Sequence, residues 1–206
     1  MRKLIVDFEM CQSVRLDDGT LIREIIEIGA VLLDENHTIV KEYNRFVKPI
    51  YCKLTPFITK LTGITQDKLD NGTTIQEVIN ELKELTDNFN NCTFSTWSES
   101  DLSELRVESK VKGVDIEILE NSFEDIQRIF CDKLNYERQV GLKTAIDLMG
   151  MDFEGSEHSA LDDAKNTARV YIQLKDNSLV DKVKLTKTSE PLTSSLGSMF
   201  DFSKFL

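Results

Sequence analysis

Over the first 48 positions of this chain, hydrophobic and polar residues fall in a pattern that predicts β structure. Three runs carry it, KLIVDFE, LIREIIEIGAVLL and HTIVKEYNRFV, all rich in β-branched residues. Asp17-Asp18-Gly19 is a turn signal between the first two, and Asp34-Glu35-Asn36 a tight polar turn between the second and third. Connections this short join antiparallel neighbours. In the first run the side-chain period of two puts Ile5, Asp7 and Glu9 on one face, and Leu4, Val6 and Phe8 on the other. Asp7 and Glu9 then lie ~7 Å apart along one face.

The period changes after residue 48. TPFITKLTGIT predicts a helix ending at Gly63. Residues 74–89 place Ile75, Val78, Ile79, Leu82, Leu85 and Phe89 on one helical stripe, with Thr74 and Glu77 at capping-box spacing. CTFSTW reads as a buried strand that delivers Asp101 at or just past its C-terminal end. A helix over 102–111 and a strand at VDIEIL follow, then helices over 123–134, 141–149 and about 159–175. The last carries Leu161, Ala164, Ala168, Tyr171 and Leu174 toward the core. Three antiparallel strands, then alternating helix and strand, define an α/β domain over residues 1–175, its mixed sheet flanked by helices. From Asp176 the pattern dissolves. Residues 176–206 read as a polar linker or tail ending in MFDFSKFL, whose Met199, Phe200, Phe202, Phe205 and Leu206 would dock on the domain or engage a protein partner.

Composition narrows the class. The chain has 206 residues, 40% hydrophobic and 30% charged, as a soluble globular protein does. Asp7 and Glu9 interrupt the N-terminal apolar run too early for a signal peptide, and no stretch approaches transmembrane length, so no membrane association is expected. Cys11, Cys52, Cys92 and Cys131 form no CxxC or Cys/His pair and read as reduced thiols of a cytoplasmic protein. A net charge of −11 argues against coating nucleic acid through bulk positive charge. Any basic track must be local, with Lys41, Lys48, Lys53, Lys60, Arg106, Lys110 and Lys112 as its candidates.

The candidate chemistry sits in three clusters: Asp7 and Glu9, then Asp101, then His158 with Asp163. Carboxylates brought together resist ionising unless cations compensate them. Two divalent ions about 3.5–4 Å apart, clamping a phosphodiester, suit such a gathering. A histidine beside them could take a proton from water. Five residues is about 140° around a helix, so His158 belongs before the last helix and Asp163 in its first turn. The helix N-terminus would there favour the ionised form of Asp163.

Asp7-x-Glu9, Asp101 and His158-Ser159-Ala160-Leu161-Asp162-Asp163 resemble the three motifs of the DEDDh 3'→5' exonucleases, the last matching H-x-A-x-x-D. The resemblance covers about residues 3–175 and extends to EIIEIGAVLL, LTGIT, TWSESDL and HSALDDAKNTARV, which look like the RNA-trimming branch. It implies a ribonuclease H-like fold. It also implies that Asp7, Glu9, Asp101 and Asp163 hold two Mg²⁺ ions, or Mn²⁺, and that His158 is the general base. Phe8, Met10, Leu61 and Ile64 would pack against the last bases, and Glu9 would accept a hydrogen bond from the terminal 3'-hydroxyl. The implied substrate is a single-stranded 3' end, RNA before DNA. Two positions depart from the branch: Ser100 stands where a tryptophan usually precedes the aspartate, and Met10 where many members have Ala or Thr. Trp97 reads as core. A DNA proofreading or repair exonuclease, an oligoribonuclease and a catalytically silent binding module stand as alternatives.

Overall fold

Strand β1 (Arg2–Met10) alternates between two apolar layers, and burial on both faces places it at the centre of the sheet. The computed structural model describes residues 1–178, 180, 181 and 183. A short hairpin follows β1, made of β2 (Val14–Arg15) and β3 (Leu21–Ile22), and then the long strands β4 (Ile25–Leu33) and β5 (Ile39–Phe46). Helices α1 (Pro56–Thr62), α2 (Gln66–Asp70) and α3 (Ile75–Leu85) lead back to β6 (Cys92–Thr96). The rest is α4 (Glu99–Lys112), α5 (Glu117–Asn121), β7 (Phe123–Asp125), α6 (Ile126–Leu134), α7 (Leu142–Leu148) and α8 (Ala160–Gln173). The sheet runs β5-β4-β1-β6-β7. β1, β4 and β5 are antiparallel, while β6 and β7 add parallel to β1. This is the expected α/β order.

Leu4, Val6, Phe8 and Met10 face one layer, closed by Val78, Ile79 and Leu82 of α3, Leu102 and Leu105 of α4, and Leu119 of α5. Ile5, Val31 and Leu33 face the other, closed by Phe130 of α6, Ile146 of α7 and Ala168 and Tyr171 of α8. Each fully buried aliphatic side chain contributes ~1.5–3 kcal/mol. A one-residue register slip in β1 would forfeit several of these and turn both carboxylates into the wrong layer. The same alternation thus places Asp7 and Glu9 on the α8 side.

Three expectations change. LIREIIEIGAVLL is not one strand: Leu21 and Ile22 pair back onto β2, and the sheet strand starts at Ile25. The break falls at Glu24, fully buried, whose carboxylate turns away to accept backbone N–H groups from Ile50, Tyr51 and Cys52. VDIEIL is not a strand either. Ile116 and Leu119 are buried at helical spacing around α5, and the edge strand is instead Phe123–Asp125, cut from the expected helix over 123–134. Finally, the polar stretch from Asp176 packs further than its composition suggests, because Val180 and Val183 are buried with the α6–α8 layer. The MFDFSKFL segment lies outside the described residues. Among the described residues, no helix is long and apolar enough to cross a membrane.

Candidate active site

Carboxylate oxygens of Asp7 and Glu9, from β1, and of Asp163, from α8, lie within 4.8 Å of one another. The β1–β4 register shifts between Glu9 and Met10, so the strand is irregular where it leaves the site. Asp101 is outside that tight group and approaches from the first turn of α4. Asp125 places it, accepting the N–H of Glu99 at 3.1 Å while its other oxygen caps α6 at 2.8 Å. Burial raises the pKa of Asp7 well above the ordinary carboxylate value, and the charges of Asp101, Asp163, Glu9 and Glu27 raise it further. Glu9 is pushed up to about 8, by burial first and then by Asp163, Glu27 and Asp101. Asp101 and Asp163 each rise to about 6, chiefly through burial. For Asp163 this reverses the expectation from the helix N-terminus: loss of solvent outweighs the hydrogen bond that lowers its pKa. Oxygens that repel one another at this spacing, with no ion pair to any of the four carboxylates among the described residues, are the donor set of a hard divalent cation.

His158 precedes α8 with φ 64°, in the left-handed region. Its N–H donates to Asp163 Oδ2 at 2.9 Å, so base candidate and ligand candidate are fixed to each other. Around it, Ser156 donates to Asp162 Oδ2 at 2.9 Å, and Asn166 exchanges hydrogen bonds with the backbone of Glu154. His158 therefore stands outside the helix and Asp163 in its first turn, as the spacing required.

Glu27 escaped the sequence reading. It lies opposite Glu9 in the β1–β4 pairing and is buried. One oxygen accepts from Asn44 Nδ2 at 2.8 Å and the other from the N–H of Ala160, the first residue of α8, at 3.4 Å. Gly29, on the same face two residues on, leaves room for that helix end: a Cβ there would lie 2.1 Å from the Ala160 carbonyl carbon. Glu27 and Gly29 together seat the N-terminus of α8 on the sheet. The hint was EIIEIGAVLL itself, where a glutamate on a buried strand needs partners.

A cavity of about 290 Å³ opens beside the carboxylates, lined by Glu9, Asp101 and His158. Phe8, Met10, Phe57, Ile58 and Leu61 form an apolar wall, and Arg23, Ser100 and Glu104 a polar one. Phe8, Met10 and Leu61 are thus where expected. Ile64 is not, being 1% exposed and packed beneath α1 with Cys11, Ile26 and Leu69. Phe57, 69% exposed, takes the place foreseen for it. Trp97 is core, its ring tilted 57° against that of Phe130 and its indole N–H donating to the Val140 carbonyl at 3.2 Å. Of the proposed basic track, Lys112 drops out, because it is buried between Glu24 and Glu108, and Arg106 is paired with Glu120.

A mixed sheet with acidic residues on its central strand and a histidine before a closing helix defines a ribonuclease H-like nuclease domain. The chain belongs to the Exonuclease family (RNase_T), which matches residues 4–171, and within it to the DEDDh type. ERI1 exoribonuclease 2 of Xenopus laevis is 32% identical over 87% of this chain and 29% of its own length. Human 3'-5' exoribonuclease 1 is 30% identical over 82% of this chain and 51% of its own. The nuclease domain of 3'hExo, a DEDDh family member bound to rAMP, superimposes with a TM-score of 0.75 at 26% identity, over 85% of this chain and 92% of that one. The chain spans about a third to half the length of the curated relatives first matched.

Proposed function

We propose that this chain is a metal-dependent 3'→5' exoribonuclease that releases nucleoside 5'-monophosphates from single-stranded ends. The observation that carries it is the meeting of Asp7, Glu9 and Asp163 within 4.8 Å, with Asp101 and His158 on the wall of the same cavity. Asp7, Glu9, Asp101 and Asp163 would hold two Mg²⁺ or Mn²⁺ ions, which would supply Lewis-acid stabilisation of the phosphoryl oxygens and a more acidic water. His158, exposed at the cavity edge and tethered through its own backbone N–H to Asp163, would accept a proton from an attacking water. Met10, Phe57 and Leu61 receive the terminal base on the apolar wall, and Glu9 accepts from the 3'-hydroxyl. RNA is preferred on the strength of relatives named exoribonucleases. The four free, buried thiols support a cytoplasmic location.

The test is 5'-labelled RNA and DNA of one sequence, incubated with Mg²⁺, Mn²⁺ or EDTA, beside Asp163→Ala. A ladder shortening from the 3' end, faster on RNA and abolished by EDTA and by the substitution, is the expected result. Wild-type turnover by Asp163→Ala would overturn the metal assignment. No turnover with either metal would favour a binding module.

A further inference from the structure

Residues 43–66 contain no aspartate or glutamate, in a chain with 36 acidic residues and a net charge of −11. They contain Arg45, Lys48, Lys53 and Lys60 instead. Arg45 pairs with Glu81, but Lys48, Lys53 and Lys60 are exposed and take part in no ion pair among the described residues. The same segment exposes Ile50 by 69%, Tyr51 by 42%, Phe57 by 69% and Leu61 by 39%. Elsewhere among the described residues only Met1, Leu21 and Val40 are large hydrophobics exposed to this degree.

The loop that bears Ile50 and Tyr51 is held by a buried carboxylate. Glu24 accepts the N–H of Ile50 and of Tyr51 at 2.7 Å each, and that of Cys52 at 2.5 Å. Lys112 compensates it at 2.7 Å and bridges to Glu108 at 2.6 Å. Burying such ions is a costly route to stability. Here the ions fix a loop whose apolar side chains face solvent. The loop also adjoins the cavity. Arg23, next to Glu24, lines it, as do Phe57 and Leu61, and Cys52 packs with Cys11, which follows the cavity residue Met10.

We infer that the surface formed by Lys48, Tyr51, Lys53 and Lys60 is the track for nucleotides upstream of the scissile bond, with Tyr51 a stacking platform for a base and the three lysines contacts for phosphates. This rests on the exonuclease reading above. Cations interleaved with exposed aromatic side chains match a single strand, which offers charged phosphates and free base faces together. A duplex hides those faces. Continuity with the cavity selects nucleic acid over a lipid surface or a protein partner.

The test compares a decamer RNA with a dinucleotide in Mg²⁺, for wild type, Tyr51→Ala, Tyr51→Phe and a triple Lys48→Gln, Lys53→Gln, Lys60→Gln variant. Losing one stacked base should lower the decamer-to-dinucleotide ratio of kcat/KM about 5- to 150-fold in Tyr51→Ala. Tyr51→Phe, which keeps the ring, should hold the ratio. The triple variant should flatten the salt dependence of decamer binding by about 0.7 in log–log slope per lysine that contacts a phosphate. An unchanged ratio in Tyr51→Ala, or equal loss on both substrates, overturns the track and leaves the surface to a protein or a second copy. Decamer anisotropy in EDTA separates the two readings. Binding weakened by Tyr51→Ala, with no turnover by wild type, would keep the track and refute the nuclease.

Discussion

Asp7, Glu9, Asp101 and Asp163 all hold protons more tightly than free carboxylates, Glu9 up to about 8 and the last two up to about 6. Between the unfolded values near ~4 and these folded values, the metal-free native chain binds protons that the unfolded chain has already released. Stability from this source is therefore full below pH ~4 and is lost as pH rises from there to about 8, the share of Asp101 and Asp163 being gone by about 6. In EDTA the Tm should fall across that window, Mg²⁺ should restore most at its upper end, and Asp7→Asn should flatten the slope. A metal-free Tm that climbs with pH would contradict the carboxylate cluster. For His158→Ala the expected loss is ~10²–10⁴ in kcat, measured at saturating Mg²⁺. The carboxylate cluster and His158 were readable because a site of this kind admits few residue types. Glu27 was not, since its partners Asn44 and Ala160 lie 17 and 133 residues away and neither is marked by type. Ile64 misled because it sits three residues from Leu61 in a helical motif that Gly63 ends, which turns Ile64 under the helix.

Among the elements, α8 matters most, because it carries Asp163 and its seat fixes the metal geometry. A Cβ on Gly29 would lie 2.1 Å from both the Ala160 carbonyl carbon and the Leu161 nitrogen, so Gly29→Ala must displace the helix. The overpacking costs ~1–3 kcal/mol, and kcat should fall by more than that loss of stability explains. Glu27→Gln keeps an acceptor for the Ala160 N–H, whereas Glu27→Ala does not. The first should retain most activity if seating is the role, and the second should lose it, with both followed by kcat and Mg²⁺ titration. Remote from the site, Thr74 and Glu77 form the reciprocal cap read from their spacing. Thr74→Ala should cost ~0.5–2 kcal/mol in Tm terms and leave kcat/KM unchanged. Long periodic elements such as β1, α3 and α8 were legible throughout. Short ones were not: β7 is three residues, half-buried, and defined by pairing Phe123 with Phe94 across the sheet rather than by any local pattern. Likewise α5 and a strand both satisfy VDIEIL until the neighbouring layer is known.

For the whole molecule, the layered α/β architecture followed from the order of periods, and the acidic charge limited where a polyanion could rest. The acid-free stretch was visible as lysines but not as a surface, because only folding shows that Glu24 holds Ile50 and Tyr51 outward. One further property follows from the topology. β1 takes its place between β4, paired antiparallel, and β6, paired parallel, and the first carboxylate of the site is residue 7 while the last is residue 163. Contacts so distant in sequence close late, after the loops between them have been ordered. During synthesis the N-terminal strands emerge first, carrying two carboxylates with no third. A ribosome-bound chain that stops before α8 can thus fold much of a sheet yet lacks the carboxylate that completes the tight group. Hydrolytic capacity should switch on in one step, once the segment from His158 to Asp163 has cleared the exit tunnel and α8 has docked on the sheet.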